Sequence, residues 1–133
     1  MPHPRSISTV LAGLVLFDLV LVIWAFFAPD LWFEVWHGTV YDDPAGLVRR
    51  CGANWAAFLM LQAIALFRWQ RHNHWIAIIA GVRLSDVFTD VTTTLFAEQL
   101  TIWGAVLLPL GSLMNVVVGL WLLRAWHALS SPG

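Results

Sequence analysis

Four long apolar stretches, separated by short polar segments, dominate the pattern along the chain. They cover residues 7–27, 48–68, 75–96 and 102–123. A run of about 20 apolar residues is long enough for a helix to cross the hydrocarbon core of a bilayer. Each stretch is apolar around nearly its whole circumference, which suits a helix in contact with lipid. The pattern therefore predicts an all-α integral membrane four-helix bundle, a single transmembrane domain over residues 1–133.

The one long connection, residues 28–47, contains two prolines and two glycines, which interrupt any continuous helix. Its first half predicts a short amphipathic turn at the membrane interface, formed by large apolar side chains: Leu31, Trp32, Phe33, Val35 and Trp36. Its second half contains Asp42-Asp43-Pro44, which is typical of a turn followed by the start of a helix.

Composition supports the membrane interpretation and excludes several others. Hydrophobic residues make up 59% of the chain and charged residues 11%, whereas a soluble domain has about 45–50% and about 25%. A net charge of −1 without a basic run excludes a nucleic-acid partner. The single cysteine excludes an internal disulfide framework. We therefore expect the lipid bilayer to be the main partner.

The positions of the nine tryptophans along the chain have a physical explanation. Indole rings favour the headgroup region of a membrane. Eight of the nine lie at or near the ends of the predicted spans: Trp32, Trp36, Trp55, Trp69, Trp75, Trp103, Trp121 and Trp126. We interpret them as an aromatic belt in preference to an aromatic ligand cage.

The distribution of arginine predicts how the spans are oriented, since the chain contains no lysine. With four spans, both termini share a side with four arginines: Arg5, Arg68, Arg71 and Arg124. The other side has two arginines among five acidic residues: Arg49, Arg50, Asp30, Glu34, Asp42, Asp43 and Glu98. The positive-inside rule places the first side in the cytoplasm. We expect a multi-pass protein of the cell membrane, as in a bacterial inner membrane, with both termini cytoplasmic and the first span uncleaved.

Each predicted span carries a polar residue near its middle, although such residues are costly in a membrane and commonly functional. Counting along the spans places them at about one depth: Asp18, Gln62, Arg83, Asp86, Ser112 and Asn115. In the third span Arg83, Asp86 and Asp90 have i, i+3, i+7 spacing and share one face. We expect Asp18 to approach Arg83. Because three acids share one base, at least one carboxyl group is expected to be neutral near pH 7.

Two interpretations of this polar layer remain open. In the first, Asp18, Arg83, Asp86 and Asp90 only hold the helices in register. In the second they form a ligand or proton-handling site, in which Asp86 and Asp90 are the candidate catalytic residues. The candidate ligand-binding residues are then Asp18, Asn54, Gln62, Arg83, Asp86, Asp90 and Asn115. Asn54 joins them because it shares a face with Gln62 and is predicted to approach Asp90.

Small residues recur along the fourth span at Gly104, Gly111, Asn115 and Gly119. Such a stripe lets helices approach closely, and we favour packing inside the bundle over a homodimer face. His72 and His74 are two residues apart and do not share a helical face, so we predict no metal site. Phosphate-loop, nucleophile-elbow and dinucleotide motifs are missing from the sequence, which leaves any cofactor unknown.

Three short motifs give the chain a likeness to a known group of proteins. They are F-A-P-D at residues 27–30, L-V-R-R-C-G-A at residues 47–53 and R-L-S-D at residues 83–86. In this order, over about the first three-quarters of the chain, they resemble the DoxX-like group of small four-helix bacterial membrane proteins. The resemblance implies a helical bundle that sometimes serves as the membrane partner of redox enzymes, and it carries over no catalytic residue.

The sequence leaves three functions open. The first, which we favour, is an accessory subunit of a larger membrane complex, since the loops are short and no enzyme motif is present. The second is a binding protein or small enzyme for an apolar molecule, such as a lipid, a quinone or a sterol- or terpenoid-like compound. It would use the arginine and aspartates of the polar layer as anchor, acid or base. The third is an ion or proton pathway made by a homo-oligomer.

Overall fold

The computed structural model describes residues 3–131, and every regular element in that range is a helix. In chain order these helices are α1 (Pro4–Phe27), α2 (Pro29–His37), α3 (Leu47–Arg68), α4 (His74–Phe96) and α5 (Ile102–Ser130). The all-α prediction is confirmed. Each of the four apolar stretches lies in one of the long helices, and α2 is an additional element within the connection between α1 and α3.

The segment predicted as an interfacial turn is in fact a nine-residue helix, α2. Pro29 does not break it, because proline is well accommodated at the first position of a helix, where its missing N–H costs nothing. Gly38 ends it with a φ of 66°, a left-handed conformation that glycine adopts without strain. The proline and the glycine thus set the limits of a helix, rather than preventing one.

Asp43 fixes the start of α3, as the turn prediction implied. Its carboxylate accepts hydrogen bonds from the backbone N–H groups of Leu47, at 2.8 Å, and Val48, at 2.9 Å. These two donors have no partner inside the first turn of a helix, so the side chain satisfies both of them. The hydrogen bonds from Val48 and Leu47 lower the pKa of Asp43.

Three of the described helices, α1, α3 and α5, are long and apolar enough to cross a membrane. Large apolar side chains cover their outer faces, among them Leu16 on α1 and Leu113 on α5, which are 63% and 58% exposed. Water-exposed surfaces of this kind are rare in soluble proteins. Length, composition and surface therefore class the chain with membrane proteins. The fourth long helix, α4, carries three charged residues in its interior, Arg83, Asp86 and Asp90.

The long helices pack as two pairs, α1 with α3 and α4 with α5, and contacts between the pairs are fewer. The connection between α3 and α4 marks one end of the molecule, here called the hairpin end, and α2 marks the other, the α2 end. A dry core fills the space between the pairs at the hairpin end, formed by Ile7, Leu11, Ala65, Trp69, Ile76, Ile79, Ala80, Leu122 and Ala125. Toward the α2 end the pairs are less closely packed.

Helix α2 is held against the start of α5. The backbone N–H of Thr101 donates to the carbonyl oxygen of Trp36 at 3.0 Å, and its hydroxyl donates to the carbonyl oxygen of Val35 at 2.5 Å. His37 Nδ1 lies 3.0 Å from the carbonyl oxygen of Gln99. These contacts fix a short helix across one end of the long ones.

The small-residue stripe of α5 packs inside the chain, as predicted. A Cβ atom added at Gly104 would collide with the backbone of Trp36. One added at Gly119 would lie 2.8 Å from Leu84 Cγ and 3.3 Å from the carbonyl oxygen of Ala80, on α4. These glycines allow α2 and α4 to approach α5 closely.

A pair of glycine variants tests this packing. Gly119→Ala should destabilise the protein by about 1–3 kcal/mol, because the added methyl group overpacks the contact with Leu84. Gly81→Ala is the matched control on α4, since nothing lies within 4 Å of a Cβ at that position. It should be neutral, or stabilise the helix by up to about 1 kcal/mol through helix propensity. Melting temperatures in one detergent give the comparison, and an unchanged value for Gly119→Ala would contradict the close approach.

Candidate functional site

Four polar side chains from three helices meet in the middle of the molecule. Arg83 of α4 donates to Asp18 of α1 through Nη2, 2.9 Å from Oδ2, and through Nη1, 3.3 Å from Oδ1. Gln62 of α3 donates to the same Oδ2 atom at 2.7 Å. Asp86, one turn after Arg83, places its Oδ2 atom 3.3 Å from Arg83 Nη2. We call these four residues the Arg83 cluster.

The contribution of the Arg83 cluster to the stability of the fold depends on its burial. Asp18, Gln62 and Arg83 are 0% exposed, and Asp86 is 7% exposed. A buried charge is tolerated only when an opposite charge and hydrogen bonds compensate for its lost hydration, and the two-point contact between Arg83 and Asp18 does both. The phenyl ring of Phe58 lies 6.0 Å from Arg83 Cζ and adds a cation–π contact. The cluster therefore joins α1, α3 and α4 at one level.

Asp90 and Asn115 form a second polar group, separate from the Arg83 cluster. Asn115 Nδ2 of α5 donates to Asp90 Oδ2 at 3.4 Å. Asp90 is half-buried, and no residue between 3 and 131 forms an ion pair with it. Seven helical residues separate it from Arg83, which is about 10 Å along the axis. The predicted single polar layer is therefore two groups at different depths.

Two predicted neighbours lie elsewhere. Asn54 is exposed on α3 and neither contacts Asp90 nor joins the Arg83 cluster, although the sequence analysis expected it to approach Asp90. A spacing of eight residues does not place Asn54 on the face of Gln62, because eight residues rotate by two full turns and about 80° more. Ser112 is buried, but its hydroxyl has no partner within the described residues.

A cavity of about 720 Å³ lies between the two helix pairs, from the Arg83 cluster to α2. All five described helices contribute to its wall. Most of the wall is aliphatic and aromatic, and the polar side chains are few: His37, Cys51, Arg83, Asp86, Thr89, Asp90, Thr93 and Asn115. Asp18 and Gln62 lie behind Arg83 and do not line it. An apolar cavity of this size with a few convergent polar groups has the form of a small-molecule site.

Four tryptophans form one aromatic wall of the cavity. The ring centroid of Trp32 on α2 lies 5.4 Å from that of Trp24, 5.5 Å from that of Trp36 and 5.1 Å from that of Trp55. We call these four residues the tryptophan wall. The tryptophans were interpreted from the sequence as an aromatic belt in preference to a ligand cage, and these four were not expected to lie together. The i, i+4 spacing of Trp32 and Trp36 was the available signal, since on a helix it places both rings on one face.

Three buried hydrogen-bond donors on residues that line the cavity have no partner. They are the indole N–H groups of Trp24 and Trp36 and the Nε–H group of Arg83, all inaccessible to water and unpaired within residues 3–131. The great majority of buried hydrogen-bond donors in proteins are paired, so each unpaired donor needs an explanation. Because no water-sized atom reaches these three groups, a molecule in the cavity could pair with them only after the side chains had moved.

The cavity is open at the side. Phe17 and Val20 of α1 line it and are also 54% and 59% exposed, and the same holds for Leu110 and Met114 of α5, at 48% and 53%. The opening between α1 and α5 is therefore bordered by apolar side chains. The chain's single cysteine, Cys51 of α3, is exposed and also lines the cavity.

A metal site has little basis in the described part of the chain. No group of three or more histidine, cysteine or carboxylate side chains suitable for one metal ion occurs between residues 3 and 131. His72 and His74 lie together at the hairpin end, with ring centroids 5.6 Å apart. Two imidazoles without a third ligand make a weak site at most.

No family model, curated protein or solved structure matches the chain. The DoxX-like resemblance therefore stays a prediction.

Proposed function

We propose that the protein binds an apolar molecule in the cavity between its two helix pairs. The single observation that carries the proposal is the cavity itself, about 720 Å³ with an apolar and aromatic wall. Ligand sites commonly have volumes of about 300–1,000 Å³ and a mainly apolar lining. A lipid, a quinone or a sterol- or terpenoid-like molecule has the matching chemistry, and the aspartates and Asn115 would hold its polar end.

The arrangement of the helix pairs around the cavity also suggests how the long helices lie in the membrane. We propose that α1, α3, α4 and α5 form a four-helix bundle across the bilayer, with the ions of α4 directed at the Arg83 cluster and the cavity. Lipid then contacts mainly apolar side chains, so the three charges of α4 do not prevent it from spanning. An opening between α1 and α5 would face the bilayer core, where an apolar molecule is most concentrated.

The arginine asymmetry places both termini in the cytoplasm. Single cysteines introduced at Asp42 and at His72, in a Cys51→Ser background, test this orientation. An impermeant maleimide added outside intact cells should label position 42 and leave position 72 unlabelled until the cells are opened. The reverse pattern would place the α2 end in the cytoplasm and overturn the orientation.

The accessory-subunit hypothesis, which the sequence favoured, stays a prediction. Its main support was an apolar exterior with short loops, and a lipid-facing bundle needs the same exterior. The cavity has no role in that hypothesis, whereas the binding hypothesis uses it. We therefore rank binding first. Chemistry at Asp86 or Asp90, which both line the cavity, would require a bound molecule first.

Native mass spectrometry of protein released from a mild detergent tests the proposal. We expect an apolar molecule to be retained by the wild type and lost from Leu108→Trp, because Leu108 lines the cavity and indole fills more of it. Leu120→Trp is the matched control on α5, since Leu120 is 45% exposed and lies outside the cavity. Retention by Leu108→Trp equal to that of Leu120→Trp, or no retention by any of the proteins, would contradict binding in the cavity.

A further inference from the structure

We propose that the hairpin end of the protein binds the headgroup of an anionic phospholipid. The dry core separates this site from the cavity, so the site does not depend on what the cavity holds. It rests on one part of the proposed function, the four-span placement that puts the hairpin end at the cytoplasmic surface of the bilayer.

The hairpin end carries four arginines and no acidic side chain. The parts of the long helices nearest this end, with the connection between α3 and α4, cover residues 4–17, 63–82 and 116–130 and contain no aspartate or glutamate. The rest of the chain has three arginines and eight acidic residues. The four arginines are exposed and form no ion pair within residues 3–131: Arg5, Arg68, Arg71 and Arg124. Their counter-charges must come from a partner or from solution.

A cleft of about 380 Å³ gathers hydrogen-bond donors at this end. Five of the residues that line it have polar side chains: Gln70, Arg71, His72, Asn73 and His74. Asn73 Nδ2 donates to Ser130 Oγ at 2.9 Å and to the carbonyl oxygen of Leu129 at 3.4 Å, which holds the α3–α4 connection against the end of α5. The cleft therefore lies between parts of the chain that are fixed to each other.

The donors of this cleft fit an anion. The guanidinium of Arg71 has only donors, in a planar fork that matches two oxygens of a phosphate group. The imidazoles of His72 and His74 have ring centroids 5.6 Å apart, and each offers at least one N–H group. A cation would be repelled by the arginines, and a neutral ligand would leave their charge uncompensated. A phosphate group supplies both the negative charge and several acceptor oxygens.

Two features favour a lipid phosphate over a free one. Trp75 and Trp126 lie near the cleft along the chain, and indole rings favour the headgroup region of a bilayer. Leu129, which is 39% exposed, gives the cleft an apolar edge that suits the less polar part of a lipid. Basic clusters at the cytoplasmic ends of membrane helices are typical sites for anionic headgroups. The cleft thus lies at the depth where lipid phosphates are concentrated.

Native mass spectrometry with added lipid tests the inference. Wild-type protein in a mild detergent is titrated with phosphatidylglycerol and with phosphatidylcholine of the same acyl chains. Both contain a phosphate group, but the arginines repel the trimethylammonium group of phosphatidylcholine. We expect the first phosphatidylglycerol to bind at least about tenfold more tightly than the first phosphatidylcholine. Excess inorganic phosphate should not displace it, because free phosphate lacks acyl chains. Complete displacement would indicate a free-phosphate site and overturn the lipid as ligand.

Three variants locate the bound lipid. Arg71→Gln should weaken phosphatidylglycerol binding about fivefold, the contribution expected of one arginine at an anionic surface, and leave phosphatidylcholine binding unchanged. Arg50→Gln is the matched control, since Arg50 is exposed at the α2 end and lines neither the cleft nor the cavity. It should keep the full preference for phosphatidylglycerol. Leu108→Trp, which fills part of the cavity, should keep the preference as well.

The results that would overturn the inference are distinct from those that would overturn binding in the cavity. Equal affinity of the wild type for the two lipids would leave an acidic segment of a partner protein as the occupant of the cleft. A preference lost in Leu108→Trp and kept in Arg71→Gln would place the lipid in the cavity, which would remove the hairpin site and support the cavity. Conversely, failure of the cavity to retain an apolar molecule would leave the effect of Arg71→Gln unchanged.

Discussion

Arg83→Leu should lower the free energy of unfolding by about 3–5 kcal/mol, enough to remove most folded protein from the membrane fraction. Arg83 is fully buried, and two carboxylates, those of Asp18 and Asp86, lie 2.9 Å and 3.3 Å from its Nη2 atom. Removal of the cation strands both charges in an apolar interior, which typically costs about this much. The side chain also joins α4 to α1, so the two helix pairs lose their main polar contact.

Arg124→Leu is the control for this loss. Arg124 is exposed near the end of α5, and it has no ion pair among the described residues. Its replacement should change the melting temperature little. Thermal unfolding of both variants in the same detergent gives the comparison. Equal melting temperatures for Arg83→Leu and Arg124→Leu would mean that the buried cation contributes nothing to the stability of the fold.

Asp18→Asn should be less damaging than Arg83→Leu, at about 2–3 kcal/mol. Three N–H donors point at the Asp18 carboxylate: one from Gln62 and two from Arg83. Asparagine offers one oxygen, so its NH₂ group must face at least one of these donors, and the charge that balances Arg83 is also lost. Hydrogen bonds to charged groups are each worth about 1.5–3 kcal/mol. Asp86 still faces Arg83, which keeps the cost below that of losing the cation.

Asp90→Asn is the matched control for Asp18→Asn. It is the same substitution, at an aspartate with one long hydrogen bond and no arginine contact. We expect it to leave the fold nearly intact and to weaken ligand binding, because an amide is a poorer acceptor than a carboxylate. Equal, severe loss of stability in both aspartate variants would show that Asp90 supports the fold in the same way as Asp18.

The positions of the long helices were predictable from the sequence, since long apolar runs carry a strong periodic signal. Their ends were partly predictable as well: Asp43, before the start of α3, was recognised because aspartate there has a local role that does not depend on tertiary contacts. Helix α2 was missed as a helix. Its proline and glycine were interpreted as breakers, although at the two ends of a helix these residues delimit it.

The site was only partly predictable for a different reason. Counting along apolar stretches gives the depth of a residue within a few ångströms, which was sufficient to expect Asp18 near Arg83. It gives neither the angle of a side chain around its helix nor the spacing between helices. Asn54 was therefore expected near Asp90 and lies on the exposed surface. The cavity could not be predicted at all, because it is the space between two helix pairs and no single residue encodes it.

Photolabelling tests the central claim, that an apolar molecule occupies this cavity, most directly. A farnesol analogue carrying a diazirine would be irradiated with the protein in nanodiscs, and the modified residues mapped by mass spectrometry. We expect modification concentrated on the cavity wall, at Trp55, Asp90 and Asn115, and suppressed by excess farnesol. Labelling spread equally over outward-facing residues such as Met60 and Leu120, and unaffected by farnesol, would contradict it.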